Sequence, residues 1–227
     1  MRLAKTTLPT IALLAFGSGS VLAAESPSPY LQLGAGVNFL EGIDLTNAAG
    51  TFTTRSKLNF DAGPVVTGTF GYAFGNGWRG EFEFGYRNSS AKNLTLPSGA
   101  TVGGSVDLKA EASAYSYMFN GIYDFDLSRF GPQYSLWSPH VGGGIGAVVL
   151  TSNRSPSSTV FGGQAIAGVE YAYTPTLRFG LDYRFIGTTS AELTFTQDAI
   201  TVGRSVSANY YDHAILLTMR WKFGGPL

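Results

Sequence analysis

Along most of this chain, apolar side chains or glycines recur at every second position. In "GYAFGNGWRGEFEFGYR" (71–87), Trp78, Gly80, Phe82, Phe84 and Tyr86 alternate with Arg79, Glu81, Glu83, Gly85 and Arg87. Period-two alternation predicts a β-strand, because successive side chains leave opposite faces. Eight such stretches follow one another, while helical periodicity is poor throughout. Their apolar sets are Leu31 to Phe39, Val66 to Phe74, Trp78 to Tyr86 and Tyr115 to Phe125, each read by twos. The remaining four are Val141 to Thr151, Gly163 to Tyr173, Leu177 to Phe185 and Ile215 to Phe223.

No residue of these sets is charged. The opposite parity carries Arg79, Glu81, Glu83, Asp124, Glu170, Arg178, Asp182, Arg184, Arg220 and Lys222, with Gln32, Asn38, Thr67, Thr69, Ser116, Asn120 and Gln164. Two architectures segregate charge this way. In a soluble sandwich the apolar face is the core. In a transmembrane barrel it meets lipid, and the polar face lines the interior.

Three features select the barrel. Short and long connections largely alternate. Gly75-Asn76-Gly77 and Thr174-Pro175-Thr176 are tight. A middling segment containing Pro132 follows the fourth stretch, and polar "SNRSPSS" follows the fifth. The segments after the first, third and seventh stretches run to about twenty residues or more. This sorting suits short periplasmic turns and longer extracellular loops. Aromatic residues also fall in two bands. Tyr72, Phe74, Trp78, Tyr123, Phe125, Tyr171, Tyr173, Trp221 and Phe223 lie at the short-turn ends. Phe39, Tyr86, Tyr115, Phe185 and the pair Tyr210-Tyr211 lie toward the long loops, with small or aliphatic residues expected between. Such bands mark membrane interfaces. Each stretch also has the roughly 9–11 residues a tilted strand needs to cross. Eight is an even number, and closure leaves no unpaired edge in lipid. The expected fold is all-β: an eight-stranded antiparallel up-and-down transmembrane β-barrel.

Composition sharpens this picture. Only 13% of the 227 residues are charged, against about 25% in soluble domains. Yet no apolar run outside the N-terminus approaches the roughly 20 residues of a transmembrane helix. Residues 1–24 read as a cleaved signal peptide: Arg2 and Lys5, an apolar core through Phe16, then small residues with cleavage after Ala23 or Ala24. Residues 25–227 are then the barrel domain. Near-neutral charge argues against a nucleic-acid partner. The lack of cysteine removes disulfides, cysteine metal sites and cysteine nucleophiles.

With these features together, the chain resembles the small outer-membrane β-barrel superfamily, the OmpA/OmpX-like, porin-like and surface-antigen barrels. "GYAFGNGWRGEFEFGYR" is similar to the second hairpin of such proteins, and "YMFNGIYDFDL" (117–127) to their fourth strand. "AILLTMRWKF" (214–223) is similar to their terminal strand, although four residues follow Phe223 where the family typically ends. The resemblance implies contact with outer-membrane lipids and recognition of that last strand by the barrel assembly machinery. It also implies the outer membrane of a Gram-negative-type bacterium, with long loops extracellular and both termini periplasmic. No appended peptidoglycan-binding domain is expected.

Candidate chemistry is sparse. Gly75, Gly77 and Gly80 match G-x-G-x-x-G, but a dinucleotide loop needs a following helix, and Glu81-Phe82-Glu83-Phe84 continues a strand. "VGGGIGA" (141–147) lacks the P-loop Lys-Ser/Thr; its glycines suit strand bending or the passage of interior side chains. Asn88 and Asn93 match glycosylation acceptors, a weak pattern in this type of host. By parity His140 points inward near the short turns, and His213 outward near the long-loop rim. They share no site, and the His and Ser two apart on one strand of lipid A deacylases are absent. "YYDHA" (210–214) is where lipid-headgroup contact would be sought. No catalytic residue, metal site or cofactor is expected.

The best-defined constellation is therefore the interior charge set. Glu81 and Glu83 are expected to meet Arg178 and Arg184 across the interior, with Arg220 and Lys222 beside them and Glu170 next to the seventh strand. An eight-stranded barrel is just wide enough for side chains to fill, so paired charges act as a structural plug. The expected function is a surface-exposed, antigen- or adhesin-like outer-membrane barrel without catalysis. The alternatives are a narrow ion or small-solute channel and, less favoured, a lipid-modifying enzyme. The strand pattern names no loop ligand.

Overall fold

A computed structural model describes residues 26–41, 43–46, 55–95, 105–106, 111–152, 155–189, 191–194, 205–208 and 210–223. The expected leader lies outside the described residues. Eight long strands make the body: β1 (Ser28–Leu40), β2 (Gly63–Ala73), β3 (Trp78–Thr95), β4 (Glu111–Asp124), β5 (Trp137–Ser152), β6 (Ser155–Ala172), β7 (Leu177–Thr188) and β8 (Tyr211–Lys222). Each pairs antiparallel with its chain neighbours. β8 returns to β1 in the register Gln32↔Arg220 and Val37↔Ile215. The sheet thus closes into the expected eight-stranded up-and-down barrel.

The period-two pattern decides which side chain goes where. β8 alternates buried and exposed residues along nearly its whole length. Leu216 is fully buried while its neighbour Leu217 is 71% exposed. The core sits inside the barrel, and the large apolar residues face out.

Three local features refine the picture. First, the strands continue well past the 9–11 residues of a crossing, as the strand-like patches "TFTTRSKLNF" and "ELTFTQDAITVG" in the long segments lead one to expect. β3 and β6 have 18 each, about 60 Å at strand rise. Pairing continues on the long-loop side, where Ile43–Thr46 joins Arg55–Phe60, and Arg55–Phe60 and Ser105–Val106 both join the end of β3. Ala191–Thr194 pairs with Ser205–Ala208. Of these two patches, Arg55–Phe60 and Glu192–Thr194 are among the described residues and lie in strands.

Second, the connection between β5 and β6 is not a loop of any length: both strands extend until only residues 153–154 separate them. The β4–β5 connection, at the opposite end, instead holds two 3-10 turns, Ser128–Phe130 and Pro132–Tyr134. Third, the outer wall is not cleared of rings between the two aromatic bands. Phe70, Phe82, Phe84, Tyr117, Phe119 and Phe179 occupy it as well.

The β2–β3 hairpin turns through Gly75 and Gly77, both at positive φ (78° and 87°). Glycine suits that backbone because it has no Cβ to clash. Asn76 Oδ1 accepts a hydrogen bond from the Trp78 amide at 3.1 Å. Gly80 belongs to β3, so the G-x-G-x-x-G match is a hairpin and the strand beyond it.

Candidate functional site

Toward the short turns the interior is built of ions. Arg79 on β3 is its hub. Its guanidinium contacts both oxygens of Asp124 on β4, at 2.8 and 2.9 Å, Glu81 at 3.0 Å and Glu170 on β6 at 3.6 Å. A planar fork of five donors suits several carboxylates at once. The Tyr30 hydroxyl, from β1, donates to Glu81 at 2.5 Å. Arg79 and Arg220 lie 5.7 and 5.1 Å from the centre of the Tyr30 ring. Glu170 also binds Arg220 of β8.

A second group sits beside this hub. Arg184 on β7 pairs with Glu83 of β3 across the barrel and with Asp182 at 2.9 Å. Asp182 faces His140 Nε2 at 3.3 Å. Gln164 donates to Glu83 and to Asn120, both at 3.3 Å. Arg178 donates to Ser138 at 3.1 Å, and Lys222 is buried at the end of β8.

Every residue of the expected charge set therefore points inward, and one anticipated pairing forms while other partners differ. Glu83 meets Arg184. Glu81 is held by Tyr30 and Arg79 rather than by the β7 arginines. Glu170 reaches past neighbouring β7 to β8 and β3.

Two inward charges were not singled out from the sequence. Arg87 and Asp212 pair at 3.0 Å near the long-loop end. Asn38 donates to Asp212 at 2.9 Å and to Ser89 at 2.8 Å, and Arg87 donates to Ser116 at 2.9 Å. Both have inward parity: Arg87 already stands in the alternation of the third stretch, and extending the last stretch back past Ile215 finds Asp212. With this pair, six basic residues (Arg79, Arg87, Arg178, Arg184, Arg220, Lys222) face six acidic ones (Glu81, Glu83, Asp124, Glu170, Asp182, Asp212). The interior is balanced in formal charge, as buried ions require.

An apolar cluster lies beside this pair toward the long loops, where Leu40 and Ile186 face Asp212 in register and Ala114 faces Arg87. Leu40, Ala114, Val148, Val160, Ile186 and Tyr210 form one buried cluster drawn from β1, β4, β5, β6, β7 and the start of β8. Tyr210 was placed with Tyr211 in the outer aromatic band. Only Tyr211 points outward, because adjacent residues of an extended chain take opposite faces; Tyr210 is 7% exposed.

Interior glycines make room for the long side chains. A Cβ at Gly71 would overlap the Tyr30 ring. Gly142, Gly144 and Gly146 of β5 lie against Ile122, Asn120 and Met118. Passage of interior side chains, not bending, is thus the work of "VGGGIGA".

Outside, the short-turn end carries the ring pairs Trp78–Tyr123, Trp137–Tyr171, Tyr72–Phe74 and Tyr173–Phe179, at 5.0–5.8 Å. Trp221 stacks on Phe223 at 6.1 Å. At the other end, Tyr86–Tyr115 and Phe185–Tyr211 pair at 5.1 and 6.1 Å. His213 stands outward there, with Tyr183 Oη 2.6 Å from its Nδ1 and Glu41 2.9 Å from its Nε2. His140 and His213 occupy opposite faces of the wall. No group of three or more metal-ligating side chains occurs among the described residues.

A closed barrel with rings and aliphatic side chains outside and ion pairs inside is a membrane-spanning barrel: its backbone is fully paired, and lipid solvates its outer face. The chain belongs to the outer membrane protein beta-barrel family. Residues 10–223 match the family described as "Outer membrane protein beta-barrel domain". A protein of Gluconacetobacter diazotrophicus named "Outer membrane protein" is 32% identical over 252 residues, covering 98% of this chain. This chain spans 64% of that relative's length. Among solved structures, Neisserial surface protein A superposes with a TM-score of 0.56 at 18% identity, covering 87% of this chain and 99% of its own. The outer membrane protease OmpT from Escherichia coli gives 0.54 at 7% identity, covering 86% and 97%. These likenesses concern the fold alone. A surface protein and a protease share it, so the fold by itself assigns no activity.

Proposed function

We propose that this protein is a plugged, surface-exposed barrel that presents its long connections outside the cell and performs no catalysis. The observation that carries the reading is the filled interior. An ion crossing it would have to break a charge-balanced network whose long-loop end, Arg87 and Asp212, is packed among Leu40, Ala114 and Ile186. Breaking a buried ion pair costs about 3–5 kcal/mol. The strand ends that lead into the long connections 41–62, 96–110 and 189–210 lie at one end of the barrel. That suits an antigen- or adhesin-like surface, with both termini on the periplasmic side. β8, which closes the barrel on β1, is the segment we propose the assembly machinery engages.

Planar-bilayer recording tests the plug. The wild-type protein is expected to be electrically silent, and steady unitary conductance would favour the channel reading instead. Replacing Glu81→Ala with Glu83→Ala is expected to lower the temperature of the heat-dependent gel shift or to raise conductance. If neither changes, the charge network is not the plug. Protease treatment of intact cells tests orientation. Cuts are expected in the three long connections and not at 153–154; cuts only at 125–136 or 173–176 would reverse the topology.

A further inference from the structure

Across the eight apolar stretches, from Leu31–Phe39 to His213–Phe223, the outward positions carry no Asp, Glu, Lys or Arg. One ionisable imidazole breaks this rule, and it is held in place from two sides. By register, His213 lies between Phe39 of β1 and Phe185 of β7. It reaches diagonally to Glu41, just past β1, and to Tyr183, one row further down β7. We propose that Glu41, His213 and Tyr183 form a lipid-headgroup site that takes a primary ammonium. This goes beyond the plugged-barrel reading and shares no side chain with the interior.

The chemistry follows from the hydrogen bonds. The Glu41 carboxylate only accepts, so His213 Nε2 carries the proton it receives. In the neutral imidazole Nδ1 is then an acceptor, and the Tyr183 hydroxyl donates to it. At one end of this hydrogen-bonded row stands the Glu41 carboxylate, whose side chain is 56% exposed. Rings flank the imidazole. Phe185 and Tyr211 stack at 10° and 6.1 Å, and Phe185 lies 4.9 Å from the His213 ring. Gly187 leaves the space: a Cβ there would come 3.3 Å from the Tyr211 ring.

Ring faces and a carboxylate attract an ammonium and repel a bare phosphate. The remaining acceptors, on Glu41 and Tyr183, call for N–H donors, which a primary ammonium has and a trimethylammonium lacks. The site lies where the apolar wall reaches the headgroup level. Acyl chains of the bound lipid would run down the wall along Val37 and Ile215, which neighbour Tyr183 in register.

Native mass spectrometry of the full chain in detergent tests this, with phosphatidylethanolamine, phosphatidylcholine and phosphatidylglycerol of identical acyl chains. The wild type is expected to retain phosphatidylethanolamine at least tenfold over the other two. Soluble glycerophosphoethanolamine is expected to compete only at far higher concentration. Glu41→Gln is expected to abolish the preference while the heat-dependent gel shift of the folded barrel is retained. If Glu41→Gln does not fold, Tyr183→Phe, which keeps the ring, carries the test and is expected to weaken the preference. Equal retention of the three lipids, an unchanged preference in a folded variant, or competition by the soluble compound at equal concentration overturns the proposal.

Discussion

The ring of Tyr30 lies in the space that a side chain at position 71 would need. Gly71 of β2 pairs with Tyr30 of β1, and the missing Cβ lets the ring lie flat against the wall. There its hydroxyl reaches Glu81 and its face meets two guanidinium groups. A backbone vacancy on one strand thus positions the hub of the interior network. Gly71→Ala is expected to push the ring off the wall and cost about 1–3 kcal/mol, the usual penalty of overpacking. Urea unfolding in lipid vesicles measures it. Gly68→Ala, also on β2 but with open space at its Cβ, is the control and is expected to change little.

Arg184 stands between Glu83 and Asp182 with no exposed side-chain surface. Arg184→Met leaves two buried carboxylates without their cation and is expected to cost about 3–5 kcal/mol. Adding Glu83→Leu and Asp182→Asn removes the uncompensated charge and is expected to recover most of that loss, because an apolar substitute for a buried ion pair is often close to neutral. If the triple variant is no more stable than Arg184→Met, the three residues are not coupled through charge. The same vesicle unfolding assay decides it.

Leu216 and Leu217 are adjacent and answer to different solvents. Leu216 packs inside against Val65 and Ala214, so Leu216→Ala is expected to open a cavity and cost about 2–5 kcal/mol. Leu217 faces lipid in the middle of β8, so Leu217→Arg is expected to cost about 2–4 kcal/mol there. Leu217→Met is expected to cost less than about 1.5 kcal/mol. A harmless Leu217→Arg would mean that this face meets water.

Gly146 and Gly143 make the corresponding pair on β5. A Cβ at Gly146 would overlap the Tyr117 carbonyl of β4, whereas one at Gly143 meets only the Gln164 carbonyl at 3.4 Å. Gly146→Ala is therefore expected to lower the yield of barrel folded into detergent at least severalfold, and Gly143→Ala to leave it unchanged. Equal yields would show that β4 and β5 can separate to accept the methyl group.

Much of this was legible in the residues themselves. Alternation by twos assigned an inward or outward face to nearly every strand residue, because a strand has only two faces and charge cannot lie against lipid. Glu83 and Phe84, or Arg220 and Trp221, are sorted by that rule alone. It also counted the strands. Tyr210 escaped it only because the last aromatic pair was read together instead of one residue per face. Asp212 escaped because the apolar set of the last strand begins only at Ile215, and Arg87, although part of the alternation of the third, has no anticipated partner.

What parity cannot supply is height and reach. Which interior charges meet depends on the stagger of the closed barrel and on where long guanidinium arms find room. So the partners of Glu81 are Tyr30 and Arg79, and Glu170 reaches two strands away to Arg220. The apolar cluster beside Arg87 and Asp212 is likewise tertiary, since its members come from strands spread over almost the whole chain and share only a level. The same holds on the outside, where Glu41, His213 and Tyr183 are brought together only by closure of β8 between β1 and β7. A two-residue period is a local property of the backbone and is written residue by residue. Contact across a barrel is a property of its closure and exists only once the last strand has found the first.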